Sequence, residues 1–172
     1  EIREKLKCGE DELIRQKMDA FQNSLDKTRP ADYSQNPIVN AILSEKQKEL
    51  DRLNAKSEIQ LLIPRGLELD PLHLCSLFSN LLDNALEALA ELPENERELK
   101  LNAEMKGAYL FVISRNTTEK SHALRKHRKG RGYGTRILQD LAKTYEGEYQ
   151  AKYENGWYTA AVMLKVSVKS LA

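Results

Sequence analysis

From Glu1 to about Lys27, apolar residues recur at Leu6, Leu13, Met18, Phe21 and Leu25 among many charges, the spacing of an amphipathic helix that needs a partner surface. Thr28 to Pro37 (TRPADYSQNP) carries two prolines and several turn formers, and reads as a linker that ends one helix and caps the next, with Asn36 as the N-cap. Helical spacing returns from Pro37 to Asn54 through Ile38, Ile42, Leu43 and Leu50, and SEIQLLIP (Ser57 to Pro64) predicts a short strand. Pro71 to Leu92 is the most apolar helix. Two strands follow, Glu98 to Met105 and Ala108 to Ser114, joined across Lys106-Gly107. Asn116 to Arg131 is polar, basic and without a period, a loop of a length that is usually functional. Tyr133 to Tyr145 predicts a helix ended by Gly147. The strands Glu148 to Tyr153 and Trp157 to Val166 are then joined over Asn155-Gly156, a hairpin signal. This order predicts a two-layer α/β sandwich with a mixed, mostly antiparallel sheet.

The apolar helix has two sides. Leu74, Leu77, Phe78, Leu81, Ala85 and Leu89 line a face suited to a sheet, while His73, Ser76, Asn80, Asn84, Glu87 and Glu91 form a polar stripe at the same spacings. A stripe that merely faced water would be better served by Lys, Glu or Arg, because Asn is a poorer helix former. An Asn oxygen is a hard, neutral ligand suited to Mg²⁺ and its NH₂ can donate to phosphate, so two of them one turn apart aim at one ligand. A solvated structural stripe remains the alternative at this point.

In KGRGYGTRILQDL, Gly130, Gly132 and Gly134 alternate immediately before an apolar helical run. Glycines let backbone N–H groups approach an anion, and the following helix N-terminus favours negative charge. Lys126, Arg128, Lys129 and Arg131 surround them. A flexible loop ending in a helix cap would read the same way. The segment does not follow a strand in the manner of a dinucleotide fold, and no G-x-x-x-x-G-K-[ST] occurs in the chain.

Composition removes other classes. Lys and Arg (27) nearly balance Asp and Glu (26), giving a net charge of +1 and no electrostatic reason to expect a nucleic acid or an anionic membrane as main partner. Hydrophobic residues at 41% and charged residues at 31% are ordinary for a globular domain rather than a disordered chain. Cys8 and Cys75 have no metal-binding spacing and read as reduced thiols. No apolar run approaches the roughly 18 residues of a membrane span, and the charged start is unlike a signal peptide.

Taken together, SNLLDNALEA, a hairpin, a polar loop and GRGYGTRILQDLAKTYEGEYQAKYENGWYTAAVML resemble the GHKL ATP-binding domain shared by gyrase, a heat-shock chaperone, histidine kinases and MutL. NLLDNALEA resembles the N box of sensor histidine kinases and the last third resembles their second glycine box, so the likeness runs from about Ser57 to Val166. The family implies a Bergerat-type sandwich that binds Mg-ATP, with Asn84 on Mg²⁺ and Asn80 near the phosphates. It implies an ATP site completed by Asn116, Lys129, Gly130, Arg131, Gly132, Tyr133 and Gly134. Tyr133 and Trp157 are expected to pack at the helix start and on the sheet rather than to stack on adenine.

Two departures narrow the resemblance. The first glycine box D-x-G-x-G is absent, and VISRNTTEK stands in its place with Asn116 at the Asp position. This is similar to the AgrC-like, peptide-sensing (quorum-sensing) kinases. Arg125, Lys126 and His127 stand where that group often has S-T-K. An Asn amide could donate to adenine N1 and accept from its N6 amine, a neutral version of the carboxylate's task.

His73 lies on the apolar helix, and His122 and His127 lie in the loop, so the phosphoacceptor His is expected upstream of Glu1. Residues 1–35 are expected to be part of a dimeric helical hairpin and its linker, and residues 36–172 the ATP-binding catalytic domain. The implied partners are the protein's own phosphoacceptor helix, in a homodimer, and a response regulator, with no nucleic acid and no membrane contact by this region. The implied location is the cytoplasmic side of a membrane-anchored sensor. A nucleotide-free regulatory relative, or another GHKL ATPase or serine kinase, stands as the alternative; a mismatch-repair ATPase would normally carry Glu where Asn80 is.

Overall fold

The chain divides into two units, Glu1–Ala31 and Asp32–Ala172; a computed structural model describes residues 33–119 and 133–170, all in the second. The amphipathic segment Glu1 to Lys27 and Cys8 lie outside the described residues. Helix α1 spans Pro37–Arg52 and is capped as its sequence predicts: the Asn36 side chain accepts from the backbone N–H of Ile38 and Val39. Ser34 and Asn40 brace that cap reciprocally, Ser34 N–H donating to Asn40 Oδ1 and Asn40 Nδ2 to the Ser34 carbonyl, both at 2.8 Å.

Strand β1 (Lys56–Leu62) and the two-residue β2 (Leu67–Glu68) lead into helix α2 (Pro71–Ala90), capped by Asp70. A single 3₁₀ turn, Glu94–Glu96, precedes β3 (Glu98–Lys106) and β4 (Tyr109–Thr117). Helix α3 (Tyr133–Thr144), β5 (Glu148–Glu154), β6 (Trp157–Lys165) and β7 (Ser167–Val168) complete the order. The main sheet runs β1-β3-β4-β6-β5, parallel between β1 and β3 and antiparallel elsewhere, and β2 pairs with β7 in a separate ribbon. The architecture is the predicted two-layer sandwich. Pairing of β2 with β7 is too short to leave a periodic pattern.

The most apolar helix lies over the middle strand: α2 packs on β4 and is flanked by α1 and α3. Its predicted face, Leu74, Leu77, Phe78, Leu81, Ala85 and Leu89, is buried. Leu99, Leu101 and Ala103 of β3, Leu110 and Val112 of β4, and Ala160, Val162 and Leu164 of β6 meet it from alternate positions of the strands.

Both hairpins form. The first turns on Gly107-Ala108 rather than Lys106-Gly107, with Gly107 at φ +61°; in the second, Asn155 and Gly156 have φ +51° and +81°, as a type I′ turn requires. The residue that ends α3 is Glu146 rather than the expected Gly147. Glu146 takes the left-handed position at φ +46°, and Gly147 is needed because a Cβ there would collide with the carbonyl of Met163 on β6.

Candidate functional site

On α2 the polar stripe is half-buried at His73, Ser76, Asn80 and Asn84 and exposed at Glu87 and Glu91. Asn80 is oriented by its own helix, its Nδ2 donating to the Ser76 carbonyl at 2.6 Å, which turns Oδ1 outward. Helix α3 brings the second motif against it. A Cβ built on Gly134 would lie 2.9 Å from Asn80 Oδ1, 3.5 Å from Asn84 Oδ1 and 3.6 Å from Asn84 Nδ2. The backbone of Gly134 therefore rests on both amides, and any larger residue would press into them.

Asn84 Nδ2 is buried with no hydrogen-bond partner. Buried amide donors are nearly always paired, so an unspent one on a polar stripe marks a place for a ligand. Beside it lies the N-terminal end of α3, the positive end of the helix dipole. Neutral amide oxygen, amide N–H and a helix N-terminus together suit a metal-bound polyanion better than a lone cation. Among the described residues no group of three or more His, Cys, Asp or Glu side chains is placed to hold a metal ion.

Asn116 is the penultimate residue of β4 rather than a loop residue. It is 2% exposed and points to the helix layer in register with Leu99 and Tyr158. Its Nδ2 donates to the Thr117 carbonyl at 3.0 Å. Ser114, two residues back on the same face, is equally buried and its Oγ has no partner. Sequence reasoning passed over Ser114, although the alternation Leu110, Val112, Ser114, Asn116 puts two polar side chains on a buried phase. Thr118, also buried, is tied to the β5–β6 turn by its N–H to the Gly156 carbonyl at 2.9 Å.

The structure thus joins Asn80, Asn84 and Gly134, and places Asn116 at the end of the strand on which α2 packs. Lys129, Gly130, Arg131 and Gly132 lie outside the described residues, as do Lys126, His122 and His127. Tyr133 differs from expectation: it is 80% exposed instead of packing at the start of α3. Five residues before Leu138, it points well away from the buried side of that helix, formed by Leu138, Leu141 and Ala142. Trp157 does pack on the sheet, with the Arg115 guanidinium 5.2 Å from its ring centroid.

Residues 69–165, more than half of the chain, match the GHKL domain family. The chain belongs to the GHKL family. No curated protein sequence matches it, but solved structures share its fold. The catalytic domain of histidine kinase ThkA in a nucleotide-free form is 14% identical with a TM-score of 0.60, over 77% of this chain and 93% of that one. A histidine kinase from Burkholderia phymatum STM815 is 12% identical with a TM-score of 0.60, over 89% and 79%. The Acinetobacter baumannii histidine kinase AdeS is 15% identical with a TM-score of 0.57; 74% of this chain matches 62% of that one. This GHKL domain therefore has the two-layer architecture of histidine-kinase catalytic domains, and among its described residues no helix is long and apolar enough to cross a membrane.

Proposed function

We propose that this GHKL domain is the Mg-ATP-binding catalytic region of a sensor histidine kinase, which transfers the γ-phosphoryl group to a His on a separate helix. The observation that carries the reading is the contact of Gly134 with Asn80 and Asn84 beside an unspent, buried Asn84 amide. It supports a site shared by the two motifs that suggested a nucleotide. Mg²⁺, when bound, neutralises phosphate charge and polarises the transferring group; Asn84 Oδ1 is its candidate ligand.

The protein's own part is positioning. Asn80, fixed through Ser76, would orient its oxygen in the Mg-ATP site, and Asn84 Nδ2 would donate to a phosphate oxygen. The start of α3, Tyr133 and Gly134, with Lys129, Gly130, Arg131 and Gly132 before it, holds the phosphates, and Asn116 reads the base. No described residue is assigned as a general base, consistent with a transfer that depends on positioning and electrostatics.

The Asn at position 116 in place of an Asp, without the following glycines, supports a member of the peptide-sensing, AgrC-like group. Its partners are then its own phosphoacceptor helix in a homodimer and a response regulator, on the cytoplasmic side of a membrane-anchored sensor. The missing D-x-G-x-G also motivates a second reading, a relative that keeps the fold and no longer binds nucleotide.

Titration with a fluorescent ATP analogue, with and without Mg²⁺, separates the two. Magnesium-dependent binding that Asn84→Ala abolishes supports the kinase. No binding to the wild type at millimolar ligand leaves the nucleotide-free relative.

A further inference from the structure

Asn116 and Ser114 form a polar pair that the phosphate-side residues do not account for. An Asn amide can present either a donor or an acceptor to a ligand, and its rotation decides which. Here the rotation is set by the Thr117 carbonyl, which takes a hydrogen bond from Nδ2 at 3.0 Å. Turning the amide over would set two oxygens against each other. Oδ1 is left to face outward as an acceptor, as a carboxylate would.

Adenine offers an amine donor at N6 and an acceptor at N1, so a site that reads both places a donor beside the Asn116 acceptor. Ser114 has an uncommitted donor. It is 2% exposed, on the same face of β4, and its hydroxyl has no partner. Its register neighbours are Leu101 on β3 and Ala160 on β6, both buried and apolar, so no adjacent strand residue can satisfy it. Residues two apart on a strand are separated by about 7 Å, so their side chains can meet neighbouring edge atoms of one base, directly or through a water.

Resting on the nucleotide reading above, we infer that Ser114 is a specificity-determining residue: its hydroxyl donates, directly or through one water, to the adenine ring nitrogen next to the amine that Asn116 Oδ1 accepts. The fixed Asn116 acceptor selects a 6-amino purine over a 6-oxo purine. Ser114 adds discrimination for a ring-nitrogen acceptor. The unpaired hydroxyl is the ligand-free half of that contact.

The test is a cycle of protein and ligand changes read by calorimetric titration with Mg²⁺ present, using ATP and 1-deaza-ATP, in which N1 is replaced by carbon. Wild type is expected to prefer ATP by about tenfold, the weight of one hydrogen bond to a buried group. Ser114→Ala is expected to bind both nucleotides alike, and Ser114→Thr, which keeps the hydroxyl, to retain the preference. Without nucleotide, Ser114→Ala is expected to melt at the same or a higher temperature, because it removes an unpaired polar group. A Ser114→Ala protein that keeps the wild-type preference, or weakens both nucleotides equally, overturns the inference alone. Absence of binding of either nucleotide to wild type overturns the nucleotide reading with it.

Discussion

The hydroxyl of Tyr145 lies 2.7 Å from Nδ1 of His73, and the two rings meet edge to face with centroids 5.5 Å apart. His73 is on the first turn of α2 and Tyr145 directly follows α3, so this contact and that of Gly134 with Asn80 and Asn84 tie the helices together at both ends of α3. The Asp70 N–H also donates to the same hydroxyl at 3.4 Å, and either His73 tautomer satisfies the pair. Tyr145→Phe keeps the ring contact and removes the hydroxyl; it is expected to lower the unfolding free energy by about 1 kcal/mol in urea titrations. His73→Ala is expected to lower it further. If the double variant shows the sum of the single effects, the residues are not coupled and the clasp has no energetic weight.

Gly134→Ala separates site geometry from fold stability. The new methyl would sit 2.9 Å from Asn80 Oδ1, and Asn80 can move only by giving up its bond to the Ser76 carbonyl. Near a helix start, exchanging Gly for Ala gains up to about 1 kcal/mol of propensity, which offsets much of the strain. The expected result is a melting temperature within a few degrees of wild type and Mg-ATP affinity reduced at least about tenfold, the consequence of losing roughly 1.4 kcal/mol of binding. Unchanged affinity in a calorimetric titration would separate Gly134 from the nucleotide.

The layer order was legible because each element left its period in the chain. The stripe of Leu74, Leu77, Phe78, Leu81, Ala85 and Leu89 announced the sheet-facing side of α2, and Asn36-Pro37 and Asn155-Gly156 marked a cap and a turn by local chemistry. Part of the candidate site was legible too, since Asn80 and Asn84 are poor helix formers and stood out on the polar stripe. Sequence could not show that Gly134 touches them, because nothing local to either motif encodes that meeting. Ser114 was hidden for a related reason: a serine in a strand is unremarkable until its neighbours across the sheet prove to be Leu101 and Ala160. Gly147 shows the opposite case: Glu146 ends the helix, and the glycine is required by the Met163 backbone, which lies elsewhere in the fold.

Arg97 holds both helix ends over the sheet edge. Its Nε donates to the Leu92 carbonyl at 2.9 Å and Nη1 to the Leu53 carbonyl at 2.6 Å, so one side chain serves the segments following α2 and α1. A charged donor satisfying two otherwise unpaired carbonyls is worth about 2–3 kcal/mol. Arg97→Ala is expected to lose about that much unfolding free energy. Arg97→Lys is expected to recover only part of it, because one ammonium cannot reproduce the fork. Equal stability of all three proteins in chemical denaturation would contradict the bridging role.

Tyr158 predicts behaviour in alkali. It stands in register with Asn116, and its hydroxyl is 3.5 Å from that of Tyr149. Burial, with the Tyr149 hydroxyl second, pushes its ionisation well above the ordinary value of 10.0. The folded state therefore keeps a proton that the unfolded chain releases first. This contribution to stability is fully present below pH 10.0 and is lost as pH rises through that value toward the higher folded one. Unfolding free energy measured against pH is expected to fall above about pH 10 in wild type, with a shallower fall in Tyr158→Phe, which has no proton to lose. Phenolate absorbance should show one fewer late-ionising tyrosine in the folded variant than in the folded wild type. Superimposable pH profiles for the two proteins would mean that Tyr158 ionises as freely in the folded chain as in the unfolded one, and that its hydroxyl is open to water.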